Sequence, residues 1–520
     1  MREVELRDAE SPLVMAVDIG SSSVRAILYD AASRPVQGTE HRIVHHPQVT
    51  SDGGATIDAD DLLRQTCACI DAVLAVVETR SVEIAAVGLT SFWHSLLGLD
   101  ANHQPTTPVF MWSDTRSGRD ADALAVELDE DCIHTETGCR LHSSYWPAKL
   151  HWLRRTQPER FDATAKWVSF PDYLAWTIHH DLATSISMAS GTGLLHSSGA
   201  GWHGEMLRAL HLTPDMLPAL TDRDMFLPPP VDVWRQRWPA LADAAWFPAI
   251  GDGAAANVGA GCVGDDRIAL TIGTSGAMRA IIRDQADHEP FTKALSPKLW
   301  QYRLDRRSRV AGGAISNGGN VTAWFADLVN DHDFDRLTDD AAGIAPDGHG
   351  LTILPFLAGE RSPSWNDDAS GMIAGLTLAT TSGAIFRSFL EATAYRFASI
   401  YDDLQVLVAP VHDIHANGAA ALSSPLWMQI LADALGHPIT SLGAEAEASA
   451  RGAAICALES IRVIDDLLDP GTPPVQQYEP DPERHCIYAG GRSRLERYES
   501  AMNTLITDKN ARHDMEKTYS

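Results

Sequence analysis

Twice in this chain an apolar run breaks at a glycine, passes through hydroxyl side chains and then resumes. The first copy is Val14-Met15-Ala16-Val17-Asp18-Ile19-Gly20-Ser21-Ser22-Ser23, followed by 24–29, and the second is Ile268-Ala269-Leu270-Thr271-Ile272-Gly273-Thr274-Ser275-Gly276, followed by 277–282. Each reads as strand, tight turn and second strand. Glycine lets backbone N–H groups approach an anion closely, and Ser and Thr add hydroxyl donors, so each turn is a candidate phosphate cradle. One such turn is an ordinary hairpin. Two in one chain are a far more specific signal than one. Asp18 is a poor strand residue, but a carboxylate beside the turn is well placed to hold a hydrated Mg²⁺, an ion that keeps waters and uses one or two carboxylates. The plainer reading of Asp18 is a turn-stabilising side chain.

Length and charge narrow the class. A chain of 520 residues exceeds what one core organises, so two or three domains are expected. Lys and Arg number 41 against 69 Asp and Glu, a net charge of −28. Such a surface repels nucleic acid and anionic membrane. Any phosphate site must then be made positive locally, by backbone dipoles, a few basic side chains and Mg²⁺. The seven cysteines (67, 69, 132, 139, 262, 456 and 486) contain no CxxC pair and read as reduced thiols. No apolar run approaches about 18 residues and the start lacks a signal-peptide core, which points to a cytoplasmic protein.

Strand-like runs alternate with helical patterns, the mark of α/β layers. Residues 60–79 carry helical spacing and 82–90 read as a buried strand. The proline-containing stretch 222–233 and the acidic stretch 331–350 read as loops. Residues 467–483 form a proline-rich linker before an amphipathic helix at 494–507, with a mobile tail behind it. These signals divide the chain into 12–262, 263–465 and a terminal part, 466–520, with the small residues of 259–264 as a hinge.

Six segments, in order, are Asp18-Ile19-Gly20-Ser21-Ser22-Ser23, Trp112-Ser113-Asp114-Thr115-Arg116, Gly251-Asp252-Gly253, Gly273-Thr274-Ser275-Gly276, Gly359-Glu360-Arg361-Ser362-Pro363 and Ser424-Pro425-Leu426-Trp427-Met428-Gln429. Through them the chain resembles the FGGY carbohydrate kinase family over 14–458. The resemblance implies a two-domain actin-like α/β ATPase, with duplicated ribonuclease H-like domains and a catalytic cleft between them. It implies a sugar in the first domain and the adenosine of ATP in the second, with closure of the cleft bringing the γ-phosphate to a sugar hydroxyl. Asp252 is the implied catalytic base; it precedes Ala254-Ala255-Ala256 and so opens a helix, where the dipole keeps a carboxylate ionised. A plain N-cap is the bland alternative. His94, Trp112, Asp114 and Arg116 are the implied sugar contacts, a ring face with polar partners suiting a polyol. Taken alone, Trp112 reads as a core aromatic, His94 as readily a satisfied core histidine, and Arg116 as half of an internal ion pair. The implied nucleotide contacts are Gly20, Ser21, Ser22, Ser23, Gly273, Thr274, Ser275, Gly276, Gly318, Gly418 and Ala419, with Asp18 on the metal.

Residues 312–320 and 359–366 are similar to the gluconokinase branch of the family, which makes D-gluconate the expected substrate and 6-phosphogluconate the product. A carboxylate substrate needs a cationic pocket, for which Arg116, Arg140, His94 and His142 are candidates. A xylulokinase-like enzyme for a ketopentose or polyol is the alternative, and an ATP-driven clamp or pseudokinase the competing class. The expected partner is a small sugar or sugar acid, with no nucleic acid and no membrane, for a monomer or homodimer. The chain departs from the family pattern at Ala416-Asn417-Gly418-Ala419-Ala420, where only Gly418 remains of consecutive glycines, and at Trp146, Ala384, Phe389 and Arg451.

Overall fold

The computed structural model describes residues 3–77, 82–199, 201–284, 294–408, 410–441, 448–467 and 476–518, apart from the side chains of 265 and 506–518. Most of the proline-rich linker (468–475) and the side chains of the expected mobile tail lie outside the described residues.

Both glycine turns are hairpins. Leu13–Ile19 (β1) and Ser23–Tyr29 (β2) pair antiparallel, with Asp18 opposite Arg25. His41–Val44 (β3) extends the sheet beyond β2. After the helix Ala59–Val77 (α1), Ile84–Ser91 (β4) pairs parallel with β1 on its other side. Two short strands, Ala245–Trp246 (β5) and Ile250–Gly251 (β6), also run parallel to β4. The helix Asp252–Gly259 (α2) starts where β6 stops. Strand β1 is apolar almost throughout because both of its faces are covered: Met15, Val17 and Ile19 enter the main core, while Val14 and Ala16 meet a helix from the other half of the chain.

The second half repeats the plan. Gly264–Ile272 (β7) and Gly276–Arg283 (β8) form the second hairpin, continued by Trp300–Asp305 (β9) and Ser308–Ile315 (β10) in the order β9-β10-β8-β7. The helices Gly319–Val329 (α3), Phe334–Ala342 (α4) and Ser382–Leu407 (α5) follow. Asp413–Asn417 (β11) pairs parallel with β7, and the short helix Ala419–Leu422 (α6) starts just past it. Ile439–Ser441 (β12), the helix Ala448–Ser460 (α7), Gln476–Tyr478 (β13) and the helix Pro482–Thr518 (α8) complete the chain. In both halves an antiparallel hairpin gains a parallel strand on its first member, the arrangement expected of duplicated domains.

Helices α2 and α7 cross between the halves, backbone against backbone. A Cβ at Gly452 would stand 1.8 Å from Ala255 O, and one at Gly259 1.9 Å from Ala448 O. Beyond that crossing, Ala450, Ala453, Ala454 and Ala457 lie against Val14, Ala16 and Ala86 of the first sheet. The edge strand β9 is a second seam. Gln301 N–H donates to Gly138 O at 2.9 Å, and Arg303 N–H to Ser190 Oγ at 2.8 Å.

Two sequence expectations need correction. The stretch 331–350 is not all loop, because Phe334, Leu337 and Ala341 recur at helical spacing, Leu337 and Ala341 are buried, and Asp333 caps the helix through Arg336 N–H. The last helix begins at Pro482, well before 494; Asp481 accepts from Glu483 N–H at 2.8 Å, and Tyr488 and Leu495 anchor the helix in the second core. Five of the seven cysteines are buried and none is paired. Among the described residues no helix is long and apolar enough to cross a membrane.

Candidate active site

Asp252 occupies the first turn of α2 because β6 delivers the chain there through Gly251, the N-cap. Gly251 and Gly253 lie flat on the indole of Trp93, where a Cβ at Gly251 would be 1.9 Å from Cε2. That indole is fixed in turn, its N–H donating to Ser187 O at 2.9 Å. Gly253 N–H donates to Asp252 Oδ1 at 2.8 Å. Burial pushes the Asp252 carboxyl above the usual carboxylate range, while the Arg279 and Arg361 guanidinium groups favour its ionised form.

A cavity of about 230 Å³ opens in front of Asp252. Its wall takes Ser21 from the first turn, Ser275 and Gly276 from the second, and His94 and Trp112 from the first domain. His94 sits at φ 69° just past β4. Its ring is buried, which lowers its pKa to about 3, and Nδ1 pairs with Gly191 O. The ring is therefore neutral, with the proton assigned to Nδ1 by that carbonyl and Nε2 left as an acceptor. Behind it Tyr145 and Tyr302 share a hydroxyl contact of 2.6 Å, and Trp300 stacks on Tyr302 at 4.2 Å.

Asp114 and Arg116 do not line this cavity. Asp114 is buried beside Trp112, accepting from Ala55 N–H at 3.0 Å and from Arg116 Nε at 3.0 Å. Arg116 lies over the Trp152 ring, 4.7 Å from its centroid. Buried Lys149, its pKa lowered to about 8 by burial, donates to Asp114 O at 3.2 Å. Arg140 pairs with Glu130 at 3.0 Å and His142 with Asp367 at 2.8 Å. The two arginines lining the cavity are others, Arg279 and Arg361. Arg279, on β8, donates to Asn257 Oδ1 at 3.0 Å and to Thr271 Oγ1 at 2.8 Å, and burial lowers its pKa to about 10. Arg361, in the loop between α4 and α5, lies over the Trp112 ring at 4.4 Å. Sequence reasoning places Arg361 within a motif and misses Arg279 and Tyr302 altogether. Arginine at an inward position of an apolar strand is the one available signal for Arg279.

On the far side of Ser275 three backbone features converge. Gly319 N–H donates to Gly273 O at 2.7 Å and Gly318 N–H to Thr274 O at 3.2 Å, so the start of α3 is clamped to the second turn. Gly418 has φ 94°, and a Cβ there would stand 2.4 Å from Ile272 O. It leads directly into Ala419, the first residue of α6. Only glycine allows that conformation and that closeness together. Asp18 lies at the far end of β1, in register with Thr90, whose other neighbour across the sheet is Ile250. Asp18 and Asp252 thus lie toward the same, C-terminal end of the parallel strands of the first sheet.

Two duplicated α/β domains with a carboxylate and two glycine turns at their junction define a phosphotransferase of the sugar kinase fold. The chain belongs to the FGGY family of carbohydrate kinases: residues 13–225 match the family's N-terminal domain and 268–460 its C-terminal domain. It is 28% identical over 477 residues to a gluconokinase of Bacillus subtilis (strain 168), covering 87% of this chain and 88% of that protein. It is 26% identical over 499 residues to a xylulose kinase of Escherichia coli (strain K12), covering 93% and 98%. Among solved structures, a gluconate kinase from Lactobacillus acidophilus superposes with a TM-score of 0.86 at 24% identity, over 94% of this chain and 98% of that one. A xylulose kinase from Brucella ovis gives 0.84 at 23%, over 95% and 100%. These last two likenesses show the fold alone. The protein is an ATP-using sugar kinase whose substrate is a small carbohydrate.

Proposed function

We propose that the protein transfers the γ-phosphoryl group of ATP to D-gluconate, giving 6-phosphogluconate and ADP. The observation that carries this reading is the charge of the cavity: Arg279 and Arg361 face it with one carboxylate, Asp252, in a chain whose net charge is −28. A neutral ketose has no use for the second cation, whereas a sugar acid pairs with it. The likeness to gluconokinases supports the same choice.

In this reading the sugar lies against Trp112, with His94 Nε2 accepting from one hydroxyl. Asp252 accepts the proton of the attacking hydroxyl as its oxygen bonds to phosphorus and ADP leaves. Because the transition state of phosphoryl transfer is loose, Asp252 orients the hydroxyl as much as it deprotonates it. The turns at 20–23 and 273–276, with Gly318, Gly418 and Ala419, border the nucleotide, and the hydroxyls of Ser21, Ser22, Thr274 and Ser275 are donors for its phosphates. Asp18 fits a hydrated Mg²⁺, since it is a carboxylate at the end of β1 beside the first turn, and the ion would neutralise phosphate charge there. Rates of ATP consumption with D-gluconate, D-xylulose, D-ribulose and glycerol test the reading. The highest kcat/KM is expected with gluconate, and a higher value with a ketopentose or glycerol would overturn it.

A further inference from the structure

Arg361 is held in an unusual state. Its Nε is buried and has no hydrogen-bond partner, and among the described residues no carboxylate stands within ion-pair distance of its guanidinium group. Its close partner is the ring of Trp112. Burial lowers its pKa, yet arginine stays charged at any ordinary pH. A guanidinium whose Nε is shut from water without a hydrogen-bond partner is costly to keep. Arg279, which also lines the cavity, donates to Asn257 and Thr271, while Arg116, His142 and Arg140, outside its lining, have partners in Asp114, Asp367 and Glu130.

The loop bearing Arg361 does not relax to relieve that cost, because it is clamped. Glu360 N–H donates to Asn366 O at 2.9 Å and Asn366 N–H returns to Glu360 O at 2.9 Å. Asn317 Nδ2 donates to Gly359 O at 2.7 Å, and Ser362 N–H to Ala314 O at 2.9 Å. The buried Glu360 carboxylate receives Arg396 Nε at 2.7 Å, and Arg396 also meets Glu499 of α8. Neighbouring Glu360 is thus spoken for by Arg396, while Arg361 lines the cavity with its Nε unpartnered.

We infer that Arg361 is the specificity-determining residue of the cavity, the receptor for the carboxylate of the sugar acid, with the Trp112 ring holding its fork in the plane that a carboxylate meets with two parallel hydrogen bonds. This rests on the sugar-acid reading proposed above. It assigns the charged end of the substrate to Arg361, which leaves the hydroxyl at the opposite end of the chain for Asp252.

The test compares D-gluconate with D-gluconamide, which has the same carbon chain and hydroxyls but no charge. Wild-type enzyme is expected to prefer gluconate in kcat/KM by about 10²-fold, the size of a buried charge-assisted pair. Arg361→Met is expected to lose most of that preference through KM for gluconate, while its KM for ATP stays as in wild type. Arg361→Lys keeps the charge without the planar fork and is expected to fall between the two, which also covers the case of a Met variant that does not fold. Folded variants that retain the full preference for gluconate would overturn the assignment. Wild-type enzyme that phosphorylates a ketopentose better than either compound would instead overturn the sugar-acid reading on which it stands.

Discussion

At Asp252 two opposing effects act on one carboxyl: burial favours its protonated form, and Arg279 and Arg361 favour its charge. A base poised above the ordinary carboxylate range accepts a proton more readily. Asp252→Asn is expected to lose roughly 10²–10⁴ in kcat, the span of a positioned general base, with melting temperature and ATP affinity unchanged. Near-normal turnover would remove Asp252 from the mechanism. The sign of the pH effect follows from the same charges. Activity falls as Asp252 is protonated on the acid side, and Arg279→Met removes a cation that favours the ionised form, so the acid limb of kcat/KM should move to higher pH. A limb that stays in place would show that Arg279 does not act on the base. That Asp252, His94 and Trp112 share one cavity was legible because each sits in or beside a short local motif. Arg279 and Arg361 were not, since their meaning depends on two strands and a distant loop converging on one cavity. Asp114 and Arg116 lie outside the cavity lining because the same motif that places Trp112 in the wall turns the two charged side chains toward each other, the internal ion pair that the sequence offered as one reading of Arg116.

Local patterns also decided how well the elements could be read. The two hairpins were plain, with strands apolar on both faces and a glycine between. Helix α4 was hidden by its acidic composition, although Phe334, Leu337 and Ala341 carry helical spacing, and the start of α8 was masked by the prolines ahead of it. The close crossing of α2 and α7 had no visible signature beyond scattered small residues. It supports a stability prediction: a methyl group at Gly452 would press on Ala255 O, 1.8 Å away. Gly452→Ala should cost about 1–3 kcal/mol in urea unfolding, as overpacking does, and an unchanged midpoint would mean that the helices slide apart freely. At the start of α6, Gly418→Ala meets both a forbidden φ and Ile272 O. KM for ATP is expected to rise several-fold, with KM for the sugar held, because the strain falls on the backbone beside the second turn. An equal rise in both would place Gly418 outside the nucleotide site.

For the whole molecule, the proposed reading draws on both halves of the chain for each ligand, Trp112 and the turn 20–23 from the first and Arg361 and the turn 273–276 from the second, so transfer is expected to need the cleft to shut around both. Closure also keeps water from taking the phosphoryl group. Small-angle scattering should report a smaller radius of gyration with gluconate and a non-hydrolysable ATP analogue together, and ATP hydrolysis without sugar should be slow. Unchanged dimensions with both ligands, joined to fast sugar-independent hydrolysis, would favour an ATP-driven clamp. The ion pair between Arg396 and Glu499 has a consequence of another kind. Glu499 lies past residue 460, where the match to the family's C-terminal domain stops, yet through Arg396 and Glu360 it steadies the loop that presents Arg361. On the assignment proposed for Arg361, the taste of the enzyme for one sugar over another would be open to inheritance and drift in the helix that carries Glu499, and a fusion or cut made near the carboxyl end would be a change to the cleft.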